Sequence, residues 1–137
     1  MPIVEQRNQL ADGKRVAVFA FLVDNLRMAG MAFDSRYETL SGRADLIVYN
    51  GHAGLGANVR ALARKGSWIA GQYVMVFMNG SDTVAYLDSS LFDRHVDINS
   101  DDPIGTKYTD VVRQRDAGVF QFPKRGDHGP HQWSIEL

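Results

Sequence analysis

The stretch that decides the fold contains two apolar runs, each followed by a polar turn: Leu46-Ile47-Val48-Tyr49-Asn50-Gly51-His52 and Tyr73-Val74-Met75-Val76-Phe77-Met78-Asn79-Gly80-Ser81. Both runs have the length and apolar composition of buried strands. Residues 57–66, which lie between them, have the pattern of a helix. A strand, a crossover helix and a second strand predict a parallel unit, and ligands bind beyond the carboxyl ends of such strands. We therefore expect His52 and Ser81 to lie at the same edge of one sheet.

The helix between these strands carries its positive charges on one side. Arg60, Arg64 and Lys65 are predicted to face solvent, and we interpret them as a solvated helix face rather than a binding patch. Gly66 is typical of a residue that ends a helix.

The chain before this unit divides into an arm, a strand and a helix. Residues 1–12 are polar and unpatterned, which predicts a flexible arm. The apolar run Arg15–Val23 predicts a strand buried on both faces, as in a parallel sheet, although a buried helix has the same signature. Phe33, Tyr37 and Leu40 recur at helical spacing, so a second helix is expected there, with a stop at Ser41-Gly42.

The chain after this unit is less regular. Residues 83–92 have mainly helical spacing, and residues 105–112 are interpreted as a further helix with Thr106 as a candidate cap. Residues 116–137 are rich in glycine, proline and charge, which predicts a weakly structured tail. The whole pattern indicates one domain over residues 13–115, with a three-layer, mainly parallel α/β sheet and flanking helices. So small a sheet has long edges, and a partner or a second copy of the chain is expected to cover them.

Composition excludes several classes of partner and site. The 137 residues are 45% apolar with a formal net charge of −1, which gives no electrostatic case for binding nucleic acid or an anionic membrane. No signal peptide or membrane-length apolar run is visible in this chain, so a cytoplasmic location is the default expectation. There is no cysteine, which excludes disulfides and thiolate metal sites. We expect no cofactor or metal, and His128 with His131 lacks a nearby third ligand.

Two candidate sites occur at the strand ends. Gly51, Gly54 and Gly56 form a glycine-rich turn, but neither a dinucleotide fingerprint nor a Walker pattern is complete. A tight strand–helix turn is favoured there over nucleotide binding, which stays an alternative. A base and a nucleophile on neighbouring strand ends can come within hydrogen-bond reach, so His52 and Ser81 are a candidate catalytic pair.

The two strand ends resemble those of the caspase-like cysteine peptidases, the clan of caspases, gingipains, clostripain and separase. In that clan one strand ends in His-Gly and a neighbouring parallel strand ends in the nucleophilic Cys. Residues 46–54 look like the histidine strand and residues 73–82 like the nucleophile strand. The wider likeness, over roughly residues 44–110, is to bacterial proteins of gingipain-like type. Those proteins carry Asn-Gly-Cys-Asp-Thr where this chain has Asn-Gly-Ser-Asp-Thr at 79–83.

This resemblance implies a trimmed caspase-like fold and a peptidase-type site that acts on a peptide or protein. His52 would be the general base and acid, Ser81 would stand at the nucleophile position, and the amides of Ala53, Gly54 and Ser81 would form the oxyanion hole. Two departures are Ser81 for Cys and Ala53 for Gly. Because a serine hydroxyl is far less acidic than a thiol, we expect a pseudoenzyme, inactive or weakly active as written. The alternative is a non-catalytic α/β module that binds a partner or forms oligomers.

Overall fold

The computed structural model describes residues 2–52, 54, 56–80, 89–116 and 119–121, and these form a mixed α/β structure with two separate sheets. In chain order the elements are β1 (Ile3–Gln9), β2 (Arg15–Phe21), a 3-10 turn (Leu26–Met28), α1 (Met31–Ser41), β3 (Leu46–Asn50), α2 (Ala57–Lys65), β4 (Val74–Asn79), α3 (Ser90–Ile98), β5 (Thr109–Asp116) and β6 (Val119–Gln121).

The larger sheet contains the predicted parallel unit. Its strand order is β3-β4-β5-β6, in which β3, β4 and β5 run parallel and β6 runs antiparallel to β5. Helix α2 connects β3 to β4, as the sequence predicts, and α3 lies between β4 and β5 in the chain. Parallel crossovers are almost always right-handed, so successive steps in one direction across a sheet bring their helices to the same face.

The hydrophobic core lies between that face and the helices. Phe33 of α1, Leu62 of α2 and Leu91 of α3 pack in one buried cluster with Val76 and Met78 of β4. Alternation along a strand turns the neighbouring residues to the opposite face.

On that opposite face, the described residues do not include the second layer of helices that the three-layer expectation requires. Leu46 and Val48 of β3 lie on it and are 54% and 58% exposed. Among the described elements the helices cover one face of the sheet, so the described part of the chain has two layers.

Helix α1 begins and ends close to the predicted bounds. Its buried residues include the predicted face of Phe33, Tyr37 and Leu40, and Gly42 caps its carboxyl end. The hydroxyl of Tyr37 donates to the carbonyl of Leu62 at 3.2 Å, which ties α1 to α2. Burial raises the pKa of this tyrosine well above its ordinary range. Tyr37 is therefore a neutral hydrogen-bond donor inside the core.

The interpretation that all three positive charges of α2 are solvated was wrong for Lys65. Arg60 and Arg64 are exposed, but the Lys65 side chain is only 9% exposed. Its ammonium donates to the carbonyls of Leu26 and Arg27 at 2.9 and 3.3 Å and pairs with Asp34 at 2.5 Å. The group fastens the 3-10 turn and α1 to the end of α2, because a buried ammonium needs hydrogen-bond acceptors around it.

The amino-terminal region differs most from the expectation. Part of the predicted arm, Ile3–Gln9, forms β1, which pairs antiparallel with β2 in a two-stranded sheet. The prediction that β2 is a parallel strand buried on both faces was wrong, since Val16 and Val18 are 39% and 54% exposed. Asp12 accepts the amide of Lys14 at 3.1 Å in the turn between the strands, where Gly13 has a φ of 85°.

The helix expected over residues 105–112 is also absent, because the second half of that segment belongs to β5 and the first half is a turn. Thr109 pairs with Val74 of β4, and its hydroxyl donates to the Val74 carbonyl at 2.9 Å. Thr106 is not a helix cap; its amide donates to the carboxylate of Asp102 at 3.1 Å. The helix expected over 83–92 is described only from Ser90, where α3 begins, and most of the predicted tail lies outside the described residues.

Candidate functional site

The carboxyl ends of β3 and β4 meet at one edge of the larger sheet. Asn50 and Asn79 are register partners, and the side-chain amide of Asn79 donates to the Asn50 side-chain oxygen at 3.1 Å. The amide of Gly51 donates to the carbonyl of Asn79 at 3.0 Å, so the pairing continues one residue beyond β3. The two strands therefore leave the sheet side by side and in register.

His52 lies just beyond this edge, two residues after the end of β3. The residue is exposed, and its backbone carbonyl accepts two hydrogen bonds. The Tyr49 hydroxyl donates one at 2.7 Å, and the side-chain amide of Asn58 donates the other at 2.8 Å. The Asn58 amide also donates to the Tyr49 oxygen at 3.1 Å, which closes a three-membered network. Tyr49 of β3 and Asn58 of α2 thus both hold the backbone of His52 in place.

The glycines of the turn make room for this network. A Cβ atom at Gly51 would lie 2.8 Å from the Tyr49 hydroxyl oxygen, and one at Gly54 would lie 3.1 Å from the Asn58 amide nitrogen. Gly54 and Gly56 also have φ values of 59° and 82°, a conformation that side chains disfavour. These contacts support the interpretation of a tight strand–helix turn over that of a phosphate-binding loop.

Burial sets the electrostatics of the network. It raises the pKa of Tyr49, while the hydrogen bond from Asn58 acts in the opposite direction. The Tyr49 hydroxyl therefore keeps its proton and donates at neutral pH. The side-chain oxygen of Asn58 is buried, and no described residue forms a hydrogen bond with it. Neither residue follows from the sequence motifs, because no spacing rule links a tyrosine in a strand to an asparagine in the next helix.

The structure describes some of the predicted site residues and not others. His52 and Gly54 lie at the edge as expected, and the Gly54 carbonyl accepts the amide of Ala57 at 3.1 Å at the start of α2. Ser81 and Ala53 lie outside the described residues, as do His128 and His131. The structure thus brings the two strand ends together, and the pairing of His52 with Ser81 stays a prediction.

The acidic pair at 101–102 has a structural role. Asp102 is 2% exposed and accepts the amides of Thr106 and Lys107, which shapes the turn before β5. Asp101 accepts hydrogen bonds from the Lys107 ammonium and the Tyr108 hydroxyl, and these bonds lower its pKa. Both carboxylates are therefore engaged within the same loop.

Comparisons of the chain with protein-family models, with curated proteins and with solved structures gave no match. Among the described residues, no helix combines the length and apolarity needed to cross a bilayer.

Proposed function

We propose that this chain is a caspase-like peptidase domain in which a His52–Ser81 pair replaces the His–Cys pair, and that it has little or no activity as written. The observation that carries the proposal is the register of β3 and β4. Asn50 and Asn79 are paired on adjacent parallel strands, and His52 and Ser81 each follow their asparagine by two residues. Adjacent strands lie about 4.8 Å apart, a separation that two side chains can bridge.

In the proposed reaction the hydroxyl oxygen of Ser81 attacks the acyl carbon of a peptide bond. His52 accepts the hydroxyl proton during the attack and returns it to the leaving amine. The amides of Ala53, Gly54 and Ser81 would stabilise the oxyanion. The weak step is the first, because a serine must lose its proton to a well-placed base, whereas a thiol ionises readily.

Restoring the thiol tests this proposal. The chain has no cysteine, so Ser81→Cys creates a single thiol, and its full-length variant should cleave members of a peptide library. The added substitution His52→Ala should abolish cleavage. Ser35→Cys is the matched control, because it places one thiol on the exposed side of α1 and should give no cleavage. Absence of cleavage by Ser81→Cys on any peptide, or equal cleavage by Ser35→Cys, would count against the peptidase proposal.

A second candidate function is association through the edge of β3, which one observation favours. No described strand pairs with the outer side of β3. Asp45 and Gly51 bond with β4, so alternation turns the backbone groups of Leu46, Val48 and Asn50 to that free edge. An edge without charged residues is a ready template for another strand. In the proposed dimer, β3 of a second copy pairs antiparallel with β3 of the first, and Val48 of each copy lies at the two-fold axis.

Size-exclusion chromatography with light scattering tests this association. The protein should run as a dimer, and Val48→Lys should give a monomer because it places a charge on the axis. Val18→Lys, at a similarly exposed position of β2, should leave the dimer intact. A monomer at every accessible concentration would refute pairing through β3.

A further inference from the structure

The side-chain amide of Asn58 has an orientation that the packing of the turn alone does not require. Asn58 points its amide nitrogen at the His52 carbonyl and the Tyr49 oxygen, and its own side-chain oxygen is buried without a partner among the residues that the structure describes. A buried acceptor without a hydrogen bond is costly and rare in folded proteins. The alternative orientation of the amide would bring its oxygen against the His52 carbonyl. The observed orientation thus stabilises the His52 backbone at the expense of the Asn58 oxygen.

We infer that Tyr49 and Asn58 are positioning residues for the proposed catalytic pair, and that they act by holding the carbonyl of His52. This inference rests on the proposed function. It assigns the two residues no contact with substrate. Their contribution is to fix the backbone that carries the imidazole, so that the ring meets the nucleophile at one distance and angle.

Peptide geometry gives the same network a second effect. A peptide group is planar and trans, so hydrogen bonds to its carbonyl also fix the direction of its N–H. The peptide that follows His52 is the one whose amide is proposed to bind the oxyanion. In the proposed site, donors on the His52 carbonyl would therefore act on the base and on the oxyanion donor together, and preorganised donors of this kind are a large part of catalysis.

The elements that carry the two residues are suited to this role. Tyr49 lies in β3, whose pairing with β4 fixes its backbone, and Asn58 lies in the first turn of α2. Gly51 and Gly54 leave the space that the Tyr49 hydroxyl and the Asn58 amide occupy. A site held by a strand and a helix is more rigid than one held by a loop.

The test measures the acidity of a thiol at position 81 in the full-length Ser81→Cys variant. The rate of alkylation by iodoacetamide is recorded against pH, because only the thiolate reacts. A free cysteine has a pKa of about 8.5, and pairing with a histidine lowers it. We expect a low midpoint in Ser81→Cys, and a return toward the free value when His52→Ala is added.

Two shape-preserving substitutions in the Ser81→Cys background then test the positioning residues. Asn58→Leu keeps a similar side-chain size, removes both donated hydrogen bonds, and adds no charge that would itself shift the thiol pKa. Tyr49→Phe removes only the hydroxyl. Each removes one of the two hydrogen bonds to the His52 carbonyl, and should therefore raise the midpoint and slow alkylation at pH 6 by about fivefold. Thermal melting should show that both variants remain folded at the temperature of the alkylation assay.

Gln72→Ala is the matched control, because Gln72 also donates to two backbone carbonyls, those of Ser41 and Ala44, but before β4 rather than after β3. Its profile should coincide with that of Ser81→Cys. If His52→Ala shifts the midpoint while Asn58→Leu and Tyr49→Phe do not, the positioning role is refuted and the pair stands. An equal shift from Gln72→Ala would also refute that role. If His52→Ala has no effect, the pair is absent and both proposals fail.

Discussion

Strands β2 and β4 have similar apolar sequences and opposite environments. In β4, Val74, Val76 and Met78 are at most 1% exposed, whereas Val18 of β2 is 54% exposed. Among the described strands, β4 has a parallel neighbour on each side and helices against one face, while β2 has one antiparallel neighbour. An apolar composition therefore predicts that a strand forms, but the neighbouring elements determine how deeply it is buried.

The largest effect expected from this difference comes from placing a charge in each strand. Val76→Asp puts a carboxylate in the core without a partner and should cost about 4–5 kcal/mol or more, a large share of a typical stability of about 5–15 kcal/mol. Val18→Asp should cost less than about 1 kcal/mol, because water still reaches its side chain. Urea unfolding of both variants measures the two costs. Similar costs would show that β2 is buried as deeply as β4.

Two glycines give a second comparison, in which the expected losses of stability are smaller. Gly13 in the β1–β2 turn and Gly105 before β5 both have left-handed backbones, with φ of 85° and 73°. A Cβ atom at Gly13 would meet no described atom within 4 Å, but one at Gly105 would lie 2.1 Å from the carbonyl oxygen of Phe92. Gly13→Ala should cost about 1–2 kcal/mol from the backbone conformation alone.

Gly105→Ala should cost about 2 kcal/mol more than Gly13→Ala, because the backbone of α3 must also move. Thermal unfolding of the two variants measures the difference. Equal losses of stability would mean that the loop before β5 can shift freely away from α3.

The parallel unit was predictable because its signals are local. The apolar runs of β3 and β4, the amphipathic pattern of α2 and the stop at Gly66 all lie within the unit, and the shortest right-handed connection joins them. The pairing of β2 was not predictable in this way, since its composition fits several sheet positions. The Asp12-Gly13 pair is a typical hairpin signal and would have indicated an antiparallel partner in Ile3–Gln9.

The candidate site was only partly predictable for a related reason. The sequence predicts that His52 lies at the carboxyl end of a strand, because alternation and turn residues define where β3 ends. It does not predict the hydrogen bonds of Tyr49 and Asn58, which depend on the angle at which α2 begins. Lys65 shows the same limit, because its pattern indicates a solvated charge and its burial depends on the position of the 3-10 turn.

The smallest predicted effect concerns acid, which should weaken the helix-covered core before the exposed hairpin. His95 of α3 is 1% exposed, and its ring lies 5.5 Å from that of Trp68. Within the described ranges, neither ring nitrogen has a hydrogen-bond partner. Burial lowers the pKa of His95, and the nearby charge of Asp102 opposes this only in part. The folded chain therefore keeps His95 neutral at a pH where the unfolded chain binds a proton.

The free energy of unfolding should consequently fall as the pH drops below about 6.5, the ordinary histidine pKa, and level off at the lower pKa of the folded state. One proton limits the slope to about 1.4 kcal/mol per pH unit. His95→Leu removes the titrating group and leaves no unpaired nitrogen, so its stability between pH 7 and 5 should fall less steeply than that of the parent. Urea unfolding at several pH values compares the two slopes. Parallel slopes would show that the acid sensitivity arises from other groups, because removing His95 would then leave the pH dependence of stability unchanged.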